Sequence, residues 1–200
     1  MDLTTIVTDL FIFYRECNFQ YPILSSMATA SVIFPAADIL SQLIVDKTVN
    51  WQKVKYTTGL APLYGLYGYG SVQMGGVVEK FISADPLAKA ALGPNLIGNV
   101  FNLVFFVNNA VGEKKGYQLQ GLGSYYTSLC SGKERFLNYV PRKEYIQSVI
   151  GTVTFWNAFQ YLNYSYISDE MQTPTTLGVA FGWTVLLSFW SQIGRKKRGV

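Results

Sequence analysis

Asp38 stands inside an apolar stretch running from Pro22 to Val45, and an ionisable side chain in such a setting is the first place to look for chemistry. A carboxylate held in a low dielectric can carry protons or cations or gate a path. The plain alternative is a structural anchor near a helix end, with Gln42 one turn on and Lys47 within snorkelling range. Amides form the second group. Asn95, Asn99 and Asn102 recur at i, i+4 and i+7, and Asn157, Gln160 and Asn163 at steps of three, so each set shares a helix face. Two such faces either line a water-filled path or hydrogen-bond across a dry interface. Catalytic sets do not assemble around these residues. Histidine, the usual general base and commonest metal ligand, is missing altogether. Cys17 and Cys130 form no C-x-x-C pair, which gives neither a disulfide framework nor a metal knuckle. Gly65, Gly68 and Gly70 lack the strand before and the Lys-Ser/Thr after that a phosphate loop requires. Asp169-Glu170 sits in a short turn, where solvation explains it. The expectation is a protein without enzymatic activity, cofactor or metal, in which bound phospholipids are the compatible small molecules.

The elements that must position these residues follow from where the charges fall. Only 14% of the 200 residues are charged and 50% are hydrophobic, against roughly 25% charged in an ordinary soluble domain. Asn18 to Ala37, Tyr56 to Val78, Ala90 to Gly112, Tyr145 to Ser168 and Met171 to Gly194 contain no Asp, Glu, Lys or Arg. Each is about as long as the roughly 20 residues a helix needs to cross a hydrocarbon layer. A soluble helical protein would instead carry a charged stripe along every surface helix. The fold class expected is therefore all-α: one polytopic transmembrane helical bundle over residues 1–200, preceded by an N-terminal amphipathic helix. About five spans are expected, near 22–45, 56–78, 90–112, 145–168 and 171–194, with a four-span count as the alternative.

Gly, Ser, Thr, Asn and Gln inside these stretches should face other helices rather than lipid. Ala61-x-x-x-Gly65 and Gly178-x-x-x-Gly182 have the spacing that lets two helix backbones approach closely. Trp51, Tyr56, Trp156, Trp183 and Trp190 suit interfacial belts and helix packing. With five spans, one side collects Lys47, Lys53, Lys55, Lys114, Lys115, Lys133, Arg135, Arg142 and Lys143, then Arg195, Lys196, Lys197 and Arg198; the other holds Arg15, Lys80 and Lys89. That asymmetry predicts a C-terminus on the cytoplasmic or matrix side. It also makes Arg195, Lys196, Lys197 and Arg198 an anchor on anionic lipid head groups rather than a nucleic-acid site. Residues 113–144 mix charges with Tyr125, Tyr126, Leu129 and Tyr139 and should lie on the membrane surface or on a partner. The acidic N-terminus, with Asp2 and Asp9, has the wrong polarity for a secretory or transit signal.

Trp156-Asn-Ala-Phe-Gln160-Tyr-Leu-Asn163-Tyr164 resembles the W-P-x-x-Q-x-x-N-F signature of the Mpv-seventeen family, which includes the twenty-two-kilodalton peroxisomal membrane protein. Tyr21-Pro22 followed by Asp38-Ile-Leu-Ser-Gln42 is similar to the family's early proline and G-D-x-x-x-Q element, with Ala37 at the glycine. Ala61-Pro62 resembles its G-P, and Trp183-Thr-Val-Leu-Leu-Ser188 its closing W-x-x-Y-L-S. Departures accompany these matches. Gly65, Tyr67 and Gly68 stand where the family has H-x-W-Y, Gly93-Pro94 where it has an acidic D-Q pair, and Asn157 where it has the proline of W-P.

The resemblance implies a small integral protein of the mitochondrial inner membrane, or alternatively of the peroxisomal membrane. Family members are usually drawn with four spans, pore-like behaviour has been proposed for some, and no enzymatic activity is established. Two functions then compete. One is a structural or accessory subunit of a larger mitochondrial inner-membrane assembly, a respiratory-chain complex among them, with lipids and other membrane subunits as partners and no nucleic acid. The other is a small pore with Asp38 and the amide faces along its path.

Overall fold

Proline and charge punctuate the chain where its helices begin and end. In the computed structural model, residues 2–198 are described, apart from the side chains of Leu3, Thr4, Val7, Phe11, Pro94, Leu137 and residues 195–198. Helix α1 covers Leu3–Gln20, longer than the short amphipathic helix expected. Pro22, with no N–H to leave unsatisfied, opens α2 (Pro22–Val45), and Asn50 accepts from the Lys53 backbone N–H to open α3 (Trp51–Phe81). One rod follows from α4 (Pro86–Gly93) through a π-helical turn (Pro94–Gly98) into α5 (Asn99–Lys114). Pro94 cannot donate to the preceding turn, so the hydrogen-bond register slips there. Another rod runs from α7 (Arg142–Gly151) through a second π-helical turn (Thr152–Trp156) into α8 (Asn157–Tyr166). Between the rods lie α6 (Leu119–Cys130) and a short 3₁₀ turn, and α9 (Asp169–Arg198) closes the fold. Among the described residues there is no strand.

The burial pattern is inverted relative to a soluble domain. Ser26, Asp38, Ser41, Gln42, Asn102, Gln160, Asn163 and Ser188 are buried, whereas Leu24, Val32, Leu43, Leu63, Val100 and Leu162 are exposed. Apolar side chains stay outside when the solvent is lipid, and polar ones turn inward to find partners. Helix α2 shows how the sequence produces this: Ser26, Ala30, Phe34, Ala37, Asp38 and Ser41 recur at helical spacing and are all buried, while Val32 and Leu40 point away. Its buried stripe packs against α3 and α9.

Among the described residues, three helical stretches are long and apolar enough to cross a membrane: Pro22–Val45, Pro86–Lys114 and Asp169–Gly194. The other two expected spans exist as helix. However, α3 and the α7–α8 rod are diluted by Gly, Tyr, Gln and Asn, so composition alone does not carry them, and the count of five falls to about three or four. Residues 113–144 fold back onto their own bundle. Leu122 and Tyr125 are buried, and the Tyr126 hydroxyl donates to Asn108 Oδ1 at 2.7 Å.

The two small-residue spacings behave differently. A Cβ placed on Gly65 would lie 2.5 Å from the Ser26 carbonyl oxygen and 2.8 Å from the Met27 Cα, so α3 and α2 touch backbone to backbone there. A Cβ placed on Gly178 or Gly182 meets nothing within 4 Å among the described residues.

Candidate functional site

Asp38 is 2% exposed and its charge is compensated. The Lys53 ammonium approaches Asp38 Oδ1 at 2.6 Å, with both side chains almost fully covered. On Oδ2, Gln42 Nε2 donates at 2.9 Å and the Thr57 hydroxyl at 3.4 Å. Gln42 in turn accepts from the Asn50 backbone N–H at 2.6 Å, tying the pair to the α2–α3 turn. Ser41 donates to the Asp38 carbonyl and accepts from Gln192 Nε2 at 2.7 Å, which fastens the end of α9 to α2. A cation and two neutral donors thus stand in for the water this carboxylate loses on burial.

The partner is Lys53, while Lys47, the sequence-based candidate, is exposed and turned away at a positive φ of 59°. Hairpin geometry explains the choice. Two antiparallel helices joined by the turn at 46–50 bring Asp38 beside Thr57. The Lys53 stem, about one turn nearer the end, reaches back along α3 to the carboxylate. An Asp eight or so residues before such a turn, with a Lys a few residues after it, is the signal that would have found this pair.

The amides divide into two groups. Along α5 and the second π-helical turn, Asn95 Nδ2 donates to Asn157 Oδ1 at 3.2 Å and Asn102 Nδ2 to Thr152 Oγ1 at 2.9 Å. Trp183 Nε1 donates to Asn102 Oδ1 at 3.3 Å, bringing α9 into the same junction. Asn99 is drawn into its own helix and donates to the Asn95 carbonyl, just as Asn95 donates to that of Ala91. Gln160 and Asn163 turn the other way, to α9. Gln160 Nε2 reaches the Thr176 hydroxyl at 3.2 Å, and Asn163 Nδ2 reaches Gln160 Oε1, the Gln172 carbonyl and Thr176 within 3.2 Å. Among the described residues the two amide faces thus meet directly at Asn95 and Asn157, while Thr152 and Thr176 take up Asn102, Gln160 and Asn163.

Trp156 is buried and packs edge-on against Trp183 with ring centroids 6.0 Å apart. Pro62 lies half-buried within α3, next to Ala61 at the close approach to α2. Asn108 was missed from the sequence: it donates to the Tyr64 hydroxyl at 3.3 Å, while its carbonyl accepts from Tyr56 and its side chain from Tyr126. Its spacing, six residues after Asn102, breaks the i, i+4, i+7 series that drew attention to the others. The basic cluster Arg195, Lys196, Lys197 and Arg198 continues α9, and its side chains lie outside the described residues.

Two openings flank this interior. A cavity of about 60 Å³ lies among Phe34, Tyr64, Phe101, Asn102, Trp183 and Thr184. A wider groove of about 790 Å³ runs between the α7–α8 rod and α9, over Ile150, Phe155, Gly178, Gly182, Trp183 and Trp190. Chemically, the described polar interior is cross-linking material: amides, hydroxyls and one ion pair joining α2, α3, α5, α8 and α9.

The chain is similar to Protein sym1 of Aspergillus oryzae (strain ATCC 42149 / RIB 40), 25% identical over 187 residues that span 90% of this chain and 96% of that protein. No description of a known protein family matches the chain. No solved structure matches it either.

Proposed function

We propose that this chain is a divergent member of the Mpv-seventeen family that serves as an accessory, helix-packing subunit of a larger assembly in the mitochondrial inner membrane. The observation that carries this reading is the contrast between Gly65 and the Gly178/Gly182 pair. Gly65 is used up in a contact within the chain, whereas Gly178 and Gly182 floor an open apolar groove. A glycine inside a helix costs roughly 1 kcal/mol relative to alanine, so two of them one turn apart need an approaching backbone to repay it. The similarity to Protein sym1 along nearly the whole of both chains supports the family. In this arrangement the C-terminus faces the matrix, residues 195–198 lie on anionic head groups, and no enzymatic step is involved.

Gentle extraction, native-gel separation and mass spectrometry of the band containing this chain test the reading. The expected result is migration in a large reproducible complex that retains anionic lipid, and release of the chain from it by Gly178→Leu. Migration of the wild-type chain alone or as a small homo-oligomer would overturn it.

A further inference from the structure

We propose that the central cavity holds the methyl end of a phospholipid acyl chain that enters from the surrounding bilayer. Depth is the first observation. Phe34 of α2, Tyr67 of α3, Phe101 of the α4–α5 rod, Thr152 of the α7–α8 rod and Ala180 of α9 line the cavity, and each stands close to the middle of its helix or rod. A helix that crosses a membrane carries its middle residues to the bilayer midplane, so the cavity sits at the level where acyl chains end. The second observation is how the void is made. Both π-helical turns border it, through Gly98 on one rod and Thr152 and Trp156 on the other. Such slips in register are rare and gather at functional sites. Here two of them pack against one another and hold open a space that Gly68 and Ala180 leave unfilled from α3 and α9.

The wall selects hydrocarbon. Several polar side chains belong to it, yet the surface it presents is almost all carbon. Their polar atoms are spent elsewhere or covered. The Tyr64 hydroxyl accepts from Asn108, and Asn102 gives its amide proton to Thr152 and accepts from Trp183. Thr152 donates to the Ser148 carbonyl, Thr176 accepts from Gln160 and Asn163, and the Thr184 Oγ1 is covered and does not open onto the space. Tyr67 and Ser71 stand half-buried at the rim with Gly98 and Phe101. Water needs two to four polar partners for each molecule, and a charged guest needs more, so neither is matched by this wall. Hydrocarbon does reach the mouth: Leu66 beside Tyr67, and Leu96 and Val100 on either side of Gly98, are exposed apolar side chains. Size then picks out a chain terminus. A cavity of about 150 Å³ takes a benzene, so the 60 Å³ here admits about two or three carbons.

The probe is phosphatidylcholine brominated near the methyl ends of its acyl chains, in nanodiscs holding the full chain with Trp51→Phe and Trp190→Phe, so that emission comes from Trp156 and Trp183. Both indoles line the cavity and are only 8% and 6% exposed. A bromine in contact with one of the two should remove about half of the emission seen in unbrominated lipid. Trp183 also borders the groove against the α7–α8 rod, so two kinds of further substitution separate the routes. Ala180→Leu fills the cavity and Ser71→Leu blocks its rim, and either should restore most of the lost emission. Gly178→Leu occupies the groove and should restore none. Far-UV circular dichroism in unbrominated lipid identifies the variants that fold as the parent does. No quenching in the parent, equal quenching by bromines placed near the head group, quenching unchanged in whichever of Ala180→Leu and Ser71→Leu folds, or quenching removed by Gly178→Leu would each overturn the proposal.

Discussion

Lys53→Met is the most discriminating perturbation of the interior. It removes the cation 2.6 Å from Asp38 and leaves a 2%-exposed carboxylate with two neutral donors, Gln42 and Thr57. Removing one member of a buried pair costs about 3–5 kcal/mol, most of it the penalty of the charge left behind. Asp38→Asn should cost less, about 2 kcal/mol, because the four-carbon stem of Lys53 lets its ammonium swing toward the exposed α2–α3 turn near Asn50. The double variant Asp38→Asn/Lys53→Met holds no net charge and keeps an amide oxygen for Gln42 and Thr57. It should therefore recover at least half of the Lys53→Met loss, which with about 4 and about 2 kcal/mol for the single variants is a coupling of about 4 kcal/mol between neighbours. Equilibrium unfolding in mixed micelles, driven by a rising fraction of denaturing detergent and followed by far-UV circular dichroism, measures all four proteins. A Lys53→Met loss below about 1 kcal/mol, or a double variant as unstable as the sum of the singles, would refute the assignment of this pair as the anchor of the α2–α3 hairpin.

Gly65→Ala should destabilise the chain by about 2 kcal/mol or more in the same assay, since the new Cβ meets backbone atoms of Ser26 and Met27 that have no side-chain freedom to yield. A neutral result would mean that the α2–α3 contact is looser than it looks. In α6, burial, with Tyr125 and Tyr67 adding to it, pushes the Tyr126 hydroxyl from its ordinary 10 up to about 12. The folded chain then keeps a proton that the unfolded chain sheds, so stability present in full below about pH 10 falls as pH rises toward 12. Tyr126→Phe should flatten that alkaline limb while costing about 1 kcal/mol at neutral pH through the Asn108 acceptor it abandons. Parallel limbs in the two proteins would assign the alkaline loss elsewhere.

Charge-free intervals located the helices well because hydrocarbon tolerates so few exceptions: the expected 22–45 matches Pro22–Val45 once Asp38 is allowed inside it, Pro86–Lys114 encloses the expected 90–112, and Arg142–Tyr166 ends two residues short of the expected 145–168. Side-chain partnership was less legible. Asp38 stands out in sequence because a carboxylate is costly in an apolar run, but Lys53 looks like one more flanking lysine until the hairpin folds it back. Of the amides at i, i+4 and i+7, Asn95 and Asn102 reach the second rod, while Asn99 bonds back to the Asn95 carbonyl. The threonine partners of Asn102, Gln160 and Asn163 were not legible, because a hydroxyl in a membrane helix carries no spacing signal of its own when its own backbone can satisfy it. The π-helical turns were likewise invisible, since a one-residue slip in register leaves the apolar composition of the rod unchanged.

Placing a charge inside a bilayer obliges the protein to replace the water around it, and a bundle can do that for a fixed charge or for a passing one. Here the replacement groups serve the fixed charge. The described ligands of Asp38 are Lys53, Gln42 and Thr57, and a permeating cation would have to displace an ammonium held at 2.6 Å by a carboxylate. The amide and hydroxyl pairs farther along the bundle are spent in the same way, on joining α5 and α8 to α9. Among the described residues, those that look like a conduction path in sequence thus fasten helices of this chain to one another. Such fasteners make sense of the open glycine face: a chain whose own helices are locked by polar contacts can present Gly178 and Gly182 to another backbone without its own packing giving way. On the reading proposed above, Asp38→Asn loosens the bundle and, with it, the hold of the chain on the assembly proposed for it, and reconstituted ion flux stays the same in wild type and variant.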